Sequence, residues 1–171
     1  MYFQKSEVKG KTALVTGAGK GIGKASAIAL AEAGADLIIL SRTKNDLEKV
    51  KKEIIKLKRK CVIYDCDVSN FEELRSVFNQ ISKLDIIVNN AGTNRPEHFT
   101  KINKEDMDYV VDLNLKAAFH VAQMGAKVMT KQKNRKSFGG SIINVSSQLG
   151  KVGAPKRSIY NMTKFGIEGL T

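Results

Sequence analysis

Short apolar runs alternate with longer amphipathic patterns along this chain, and that alternation limits what it can fold into more than any other feature. Strand candidates are Thr12–Thr16, Asp36–Leu40, Cys61–Asp65, Asp85–Asn89 and Ser141–Ser146. Between them, helical spacing falls at Ile22–Ala33, Lys44–Lys58, Phe71–Ser82 and Lys104–Thr130, and a fifth helix begins near Ser158. Regular β-α alternation predicts an α/β fold built on a doubly wound parallel sheet, Rossmann-like, with helices on both faces. Right-handed crossovers and a switch point beside the first strand then put ligand at the strands' carboxyl ends. The 171 residues fit one domain over 1–171 that can bury a real core. Five strands are present where the dinucleotide-binding arrangement has six, and the last helix has barely begun at Leu170-Thr171, with no C-cap and no basic last turn. The chain is therefore expected to be truncated, without its last sheet edge and the helix covering it.

The first strand candidate runs into Thr16-Gly17-Ala18-Gly19-Lys20-Gly21-Ile22-Gly23, which opens an Ala-rich helical run. Strand, glycine turn and helix in that order bring free backbone N–H groups and a helix dipole against a pyrophosphate. The spacing is not G-x-G-x-x-G, because Ile22 stands where the third glycine would fall. It reads as T-G-x-x-x-G-x-G, with Gly17, Gly21 and Gly23 in the key places. Glycine turns also end strands for purely structural reasons, so the motif needs support from the rest of the chain.

Composition narrows the classes. The apolar and charged fractions are those of a soluble globular protein. No apolar run is long enough to span a bilayer and no signal pattern opens the chain, which points to the cytoplasm. Tyr2-Phe3-Gln4 reads either as a cloning remnant or as a native start. Cys61 and Cys66 fall on opposite faces of a regular strand and have no second Cys or His pair beside them. Reduced structural thiols are expected, and no metal site. The net charge of +12 gathers in two lysine-rich stretches, 44–60 and 127–136. The first also carries Asp46, Glu48 and Glu53, and its Leu47, Val50, Ile54 and Leu57 repeat at helical spacing, as in a solvated amphipathic helix. A nucleic-acid surface is the rival reading of that charge, without any recognisable reader motif behind it.

Chemistry gathers at the later strand ends. Asn89-Asn90-Ala91-Gly92 follows an apolar strand; Asn there can bond neighbouring backbone, and Gly lets the chain turn close to a ligand. Ser146-Ser147 closes the fifth strand candidate. Tyr160 and Lys164, four apart, share one face of the helix that follows. A free tyrosine, with a pKa of about 10, is a poor acid–base catalyst at neutral pH. A nearby ammonium favours the phenolate. A serine hydroxyl at the strand end could bond the same substrate oxygen.

In their order and spacing these motifs resemble the short-chain dehydrogenase/reductase family, from about Lys11 to Thr171: the glycine turn, Asn89–Gly92, Asn114 in a long helix, Ser147, and Tyr160 with Lys164. The resemblance implies four catalytic roles. Tyr160 would give or take the proton on the substrate oxygen. Lys164 would assist Tyr160 and bond the nicotinamide ribose. Ser147 would orient the substrate oxygen, and matches better than Ser146 because Gly150 fits the pattern only from Ser147. Asn114 would support a water linking Lys164 to solvent. It also implies a cofactor-binding set of Gly17, Lys20, Gly21, Ile22, Gly23, Ser41, Arg42, Asp67, Val68, Asn89, Ala91, Gly92, Tyr160 and Lys164. Asp67 and Val68 resemble the family pair that contacts adenine.

A family member of the NAD type carries Asp or Glu at the end of strand two. Here Ser41 and Arg42 stand there: no carboxylate repels a 2′-phosphate, and the arginine can fork onto it. With Lys20 in the glycine turn, NADP(H) is favoured over NAD(H), unless both cations are simply solvated surface charge. The resemblance thus implies hydride transfer between NADP(H) and a carbonyl or secondary alcohol: a 3-oxoacyl thioester, a sugar or a sugar acid. Arg95, Lys156 and Arg157 are expected to rim the substrate mouth and suit an anionic or carrier-bound substrate. His98 is expected at the rim or surface, and His120 in helix packing. The resemblance further implies a homo-oligomer formed through the Asn114 and Tyr160 helices. Two other classes stay open at this stage, a catalytically silent nucleotide-binding fragment and a basic nucleic-acid-binding module.

Overall fold

The computed structural model describes residues 8–132 and 139–171; the Tyr2-Phe3-Gln4 start and positions 133–136 of the second lysine-rich stretch lie outside the described residues. Five strands form one sheet: β1 (Thr12–Thr16), β2 (Asp36–Ser41), β3 (Cys61–Asp65), β4 (Ile86–Asn89) and β5 (Ser141–Asn144). They pair in the order β3-β2-β1-β4-β5, all parallel. The order reverses between β1 and β4, the switch point at which such sheets open a crevice. The helices are α1 (Gly21–Glu32), α2 (Lys44–Lys56), α3 (Phe71–Asn79), α4 (Lys104–Val111), α5 (Ala117–Lys131) and α6 (Ser158–Leu170).

The alternation of strand side chains explains the two layers. Ala13, Val15, Leu37, Ile39, Ile86 and Val88 turn to one face and pack with Ala27 and Ala31 of α1 and with Leu47, Val50 and Ile54 of α2. Leu14, Ile38, Leu40 and Ile87 turn to the other, against Leu74, Val77 and Phe78 of α3 and Val121 and Met129 of α5. Burial on both faces is why these strands read as continuous apolar runs. Cys66 lies in the second of these clusters and Cys61 against the first; both thiols are free. Burial pushes them up, to about 11 for Cys66 and about 12 for Cys61, so they stay protonated and act as small apolar side chains.

Several element ends differ from the sequence expectation. β5 stops at Asn144 rather than Ser146, because β4 ends at its partner Asn89; the last bond along this pair runs from Val145 N to Asn89 O, at 2.9 Å. The helix predicted over Lys104–Thr130 is two helices joined by a π-helical turn, Asp112–Lys116, in which the Ala117 N–H reaches back to Asp112 O. The extra residue in that turn shifts the helical phase and buries Leu113 and Asn114 side by side. Such turns are uncommon and gather at functional positions. α2 ends at Lys56, with Lys58 beyond it in the left-handed region at φ 59°. α3 ends at Asn79, three residues short of the expected Ser82, and the chain beyond it sends Ile81 and Leu84 into the core.

Candidate active site

At the carboxyl end of β1, the Thr16 side chain is buried, and its Oγ1 accepts from the backbone N–H groups of Asn90 (3.1 Å) and Ala91 (3.0 Å). Asn90 replies by donating from Nδ2 to the carbonyls of Thr16 (3.0 Å) and Gly17 (3.3 Å). Four bonds thus stitch the exit of β4 to the glycine turn. Neither Thr16 nor Asn90 was in the expected cofactor set, although both stand inside the motifs that defined it. Their signal was a hydroxyl and an amide at two strand ends that the topology makes adjacent.

The glycines of the turn act in different ways. Gly17 and Gly21 adopt φ of 64° and 56°, which a side chain disfavours. Gly23 is needed for space: a Cβ there would sit 2.3 Å from Gly17 O and 2.4 Å from Asn90 Nδ2. Lys20, exposed, precedes α1 with extended backbone and no side-chain cap, and no acidic residue lies in the first turn. The positive end of α1 is therefore open toward the crevice. Ile22, 66% exposed, stands on that turn. A tight glycine turn leading to an uncapped helix fits a pyrophosphate.

Ser41 Oγ accepts from Thr43 N at 3.3 Å, forming a small turn after β2. Arg42, 57% exposed, sends Nη1 to the Tyr109 hydroxyl (3.1 Å) and to within 3.8 Å of Asp67 Oδ2. The bond to Tyr109, above all, holds the Arg42 guanidinium above its ordinary value. Asp67 also takes the N–H (3.0 Å) and hydroxyl (2.6 Å) of Ser69 on Oδ1. Val68 is buried in the core cluster behind this rim. Asn89 is committed to structure: its Nδ2 donates to Ala118 O (3.0 Å) and Asn144 Oδ1 (2.9 Å). Ala91 and Gly92 follow, with Ala91 against the core and Gly92 so close to Asn114 that a Cβ would sit 3.2 Å from its Oδ1.

Lys164 is buried on α6, and its Nζ donates to Val145 O at 2.7 Å, just past the end of β5. The same ammonium lies 5.6 Å from the centroid of the Tyr160 ring. Burial alone pulls Lys164 below the ordinary lysine value. Ser147 caps a single 3₁₀ turn, Gln148–Gly150, by accepting Leu149 N at 3.2 Å. That turn packs against α6, since a Cβ on Gly150 would meet Lys164 O at 3.0 Å. The Ser146 hydroxyl is directed to the same Lys164 O, at 3.5 Å. Asn114 grips Thr93 at both ends of its backbone and donates to Thr163 Oγ1 at 3.2 Å. With both amide hydrogens engaged, only the second lone pair on Oδ1 is left for a water.

The structure therefore brings Tyr160, Lys164, Asn114 and Ser147 to one end of the sheet through α6, and the residues expected to bind cofactor to the neighbouring strand ends. Arg95, expected at the substrate mouth, is engaged by its neighbours: its guanidinium lies 4.5 Å from the Tyr109 ring centroid and pairs with Asp106. His120 sits edge-on to Phe71 (4.9 Å) and Phe119 (5.6 Å), within helix packing. Among the described residues no cluster of His, Cys, Asp and Glu could hold a metal ion, and no helix is long and apolar enough to cross a membrane.

The family model described as short chain dehydrogenase matches residues 11–171. The 3-oxoacyl-(acyl-carrier-protein) reductase FabG of Thermotoga maritima is 36% identical over 168 residues, covering 96% of this chain and 66% of that protein. L-xylulose reductase of Mus musculus is 35% identical over 162 residues, covering 95% and 63%. Among solved structures, a short-chain type dehydrogenase/reductase from Mycobacterium marinum superposes with TM-score 0.90 at 33% identity, over 96% of this chain and 68% of that one. Carveol dehydrogenase from Mycobacterium avium in complex with NAD gives 0.87 at 31%, over 95% and 64%. The chain thus spans about two thirds of the length of the relatives it matches.

Proposed function

The chain belongs to the short chain dehydrogenase family, and on that premise we propose that it is an oxidoreductase moving hydride between NADP(H) and a carbonyl or secondary alcohol. The observation that carries this reading is the pairing of Lys164 with Tyr160 on α6, at the sheet end where the uncapped α1 opens.

Bound along the strand ends, the nicotinamide cofactor would supply the hydride. Gly17, Gly21 and Gly23 would let the backbone approach its pyrophosphate, with Lys20 adding charge and Ile22 an apolar wall. Asp67, Val68, Ala91 and Gly92 would line the adenosine end. Tyr160 would exchange the proton at the substrate oxygen, and Lys164, held by Val145, would keep a positive charge beside the phenol. Ser147 would hydrogen-bond that oxygen and fix its position. Asn114 would act through Thr93 and Thr163, holding the loop after β4 against α6; Asn89 would act only by joining β4, β5 and α5.

Preference for NADP(H) is supported by Ser41 at the end of β2 and Arg42 just after it, where the sequence carries no Asp or Glu. A 3-oxoacyl thioester, a sugar or a sugar acid is supported by the names of the relatives, and an anionic substrate by Lys156 and Arg157 just ahead of Tyr160. Lys156 has φ 59°, and its carbonyl accepts from Glu97 N at 3.1 Å, tying the loop before α6 to the loop after β4. Self-association is supported by exposed Phe119, which lines a pocket of about 390 Å³ between α5 and α6, and by exposed Met162 and Phe165 on α6.

The test is a fluorescence titration with NADPH and NADH, followed by turnover on a panel of 3-oxoacyl thioesters, ketoses and sugar acids. Tighter NADPH binding with NADPH consumption on one of these classes is expected. Binding of NADPH without turnover of any carbonyl would leave nucleotide binding alone. Binding of neither, with salt-sensitive retention of DNA, would overturn the proposal in favour of a nucleic-acid module.

A further inference from the structure

Four segments that are far apart in sequence meet at the β2–β3 side of the crevice. Arg42 follows β2, Asp67 follows β3, Arg95 lies in the loop after β4, and Tyr109 lies on α4. The Tyr109 hydroxyl takes the Arg42 Nη1 hydrogen bond at 3.1 Å, and the face of its ring lies 4.5 Å under the Arg95 guanidinium. Arg95 is tied in turn to Asp106, one turn earlier on α4. The result is a strap, Asp106–Arg95–Tyr109–Arg42–Asp67, running from α4 across to the ends of β2 and β3.

The strap engages Arg42 from one side only. Both of its contacts, to Tyr109 and to Asp67, fall on Nη1, while Nε and Nη2 make no hydrogen bond among the described residues. Those two nitrogens form the planar side-on edge that can fork onto two oxygens of one phosphate group. An arginine this exposed otherwise loses most of its rotamer freedom when a ligand orders it, and a group ordered beforehand avoids that loss. The stacked Arg95 limits ring motion, so the hydroxyl presents itself to Arg42 from a fixed place.

We propose that Tyr109 is a positioning residue for cofactor selection: its hydroxyl holds Nη1 of Arg42 so that the Nε–Nη2 edge is set for the 2′-phosphate of NADP(H). This rests on the reading that Arg42 recognises that phosphate. The hydroxyl then contributes to binding only when the phosphate is there, and its removal weakens phosphorylated ligands selectively.

Calorimetric titration of the 171-residue chain with adenosine 2′,5′-bisphosphate and with adenosine 5′-monophosphate tests this without turnover. Tyr109→Phe keeps the ring under Arg95 and removes only the hydroxyl. It is expected to weaken the bisphosphate roughly three- to tenfold, the worth of one such hydrogen bond, and to leave the monophosphate unchanged. Arg42→Ala is expected to abolish the difference between the two ligands. Selective loss in Arg42→Ala with none in Tyr109→Phe would overturn the strap and leave the Arg42 reading standing. An equal loss of both ligands in Tyr109→Phe would assign the hydroxyl to the shape of the groove and overturn it as well. If the unaltered chain binds the bisphosphate no better than the monophosphate, or if Arg42→Ala loses no selectivity, the Arg42 reading falls and the strap with it.

Discussion

Asn114 holds Thr93 at both ends of its backbone: Oδ1 accepts the Thr93 N–H and Nδ2 donates to the Thr93 carbonyl, each at 2.8 Å. The buried amide behaves like an extra strand for one residue. It locks the loop after β4 onto the π-helical turn, and its remaining hydrogen reaches Thr163 on α6. Three elements that share no sheet pairing are thereby fixed relative to one another.

That arrangement predicts a specific failure for Asn114→Asp. The carboxylate keeps one acceptor for the Thr93 N–H but sets a second against the Thr93 carbonyl, and Thr163 loses its donor. A buried acceptor left facing another costs about 1–3 kcal/mol, more with a charge. Denaturant unfolding should show at least that loss at pH 7, with part of it recovered as the pH falls and the carboxyl protonates, since a protonated carboxyl can donate again. Unfolding identical to the parent would sink this account of the site.

Gly23→Ala probes the glycine turn by space alone. The added Cβ would lie 2.3 Å from Gly17 O and 2.4 Å from Asn90 Nδ2, so the turn and the Asn90 clasp must move apart. Overpacking of this kind costs about 1–3 kcal/mol. The melting temperature should fall by a few degrees, at about 2–4 °C per kcal/mol for a chain of this size. NADPH fluorescence enhancement should be lost in a chain that remains folded by circular dichroism. Retained affinity would show that the turn has slack.

How much of this was legible beforehand follows from which interactions are local. The strand and helix positions were readable because Leu14, Ile39 and Ile87 belong to doubly buried runs, and Leu47, Val50 and Ile54 to one helical face. Tyr160 and Lys164 were readable because i, i+4 spacing puts both on one face of α6. The π-helical turn was not, since Asp112–Lys116 has helical composition and only the tertiary pull on Asn114 shifts its phase. The roles of Thr16, Asn90 and Tyr109 were equally hidden: each acts on a residue 67 to 75 positions away. Arg95 was hidden in the same way: its charge near a motif suggested a substrate rim, and only the fold shows that Asp106 and Tyr109 engage it.

Lys58 offers a test of backbone conformation away from the site. It follows α2 at φ 59°, with its N–H donating to Ile55 O at 2.9 Å and that of Arg59 to Ile54 O at 3.4 Å. Helices usually place glycine at this left-handed position, because a Cβ there costs roughly 1–2 kcal/mol. Lys58→Gly should therefore stabilise the chain, by less than that strain because glycine also loosens the unfolded state. Thermal melts should rise by one to a few degrees, roughly. A fall in melting temperature would mean that the lysine makes a stabilising contribution outweighing its backbone.

Lys164→Met separates what the ammonium does for chemistry from what it does to stability. The folded chain buries this charge and so binds its proton less readily than the unfolded chain, whose lysine keeps the ordinary value near 10.5. Below the lowered folded value both states are charged, and the fold carries the full penalty of burial. As pH rises through that value toward 10.5, the unfolded state holds more protons, and the parent gains stability relative to its own value at neutral pH. Lys164→Met carries no such penalty, although it leaves the Val145 carbonyl without its donor. The stability of Lys164→Met relative to the parent should therefore be most favourable near neutral pH and decline steadily up to about pH 10.5. Paired melts across that range check this, and a difference independent of pH would mean that the ammonium is hydrated as well in the fold as outside it. Carbonyl turnover, meanwhile, should fall by about 10²–10⁴ in Lys164→Met, the usual worth of a group assisting proton transfer. A variant as stable as the parent near neutral pH and catalytically silent would assign the buried charge to the reaction rather than to the fold.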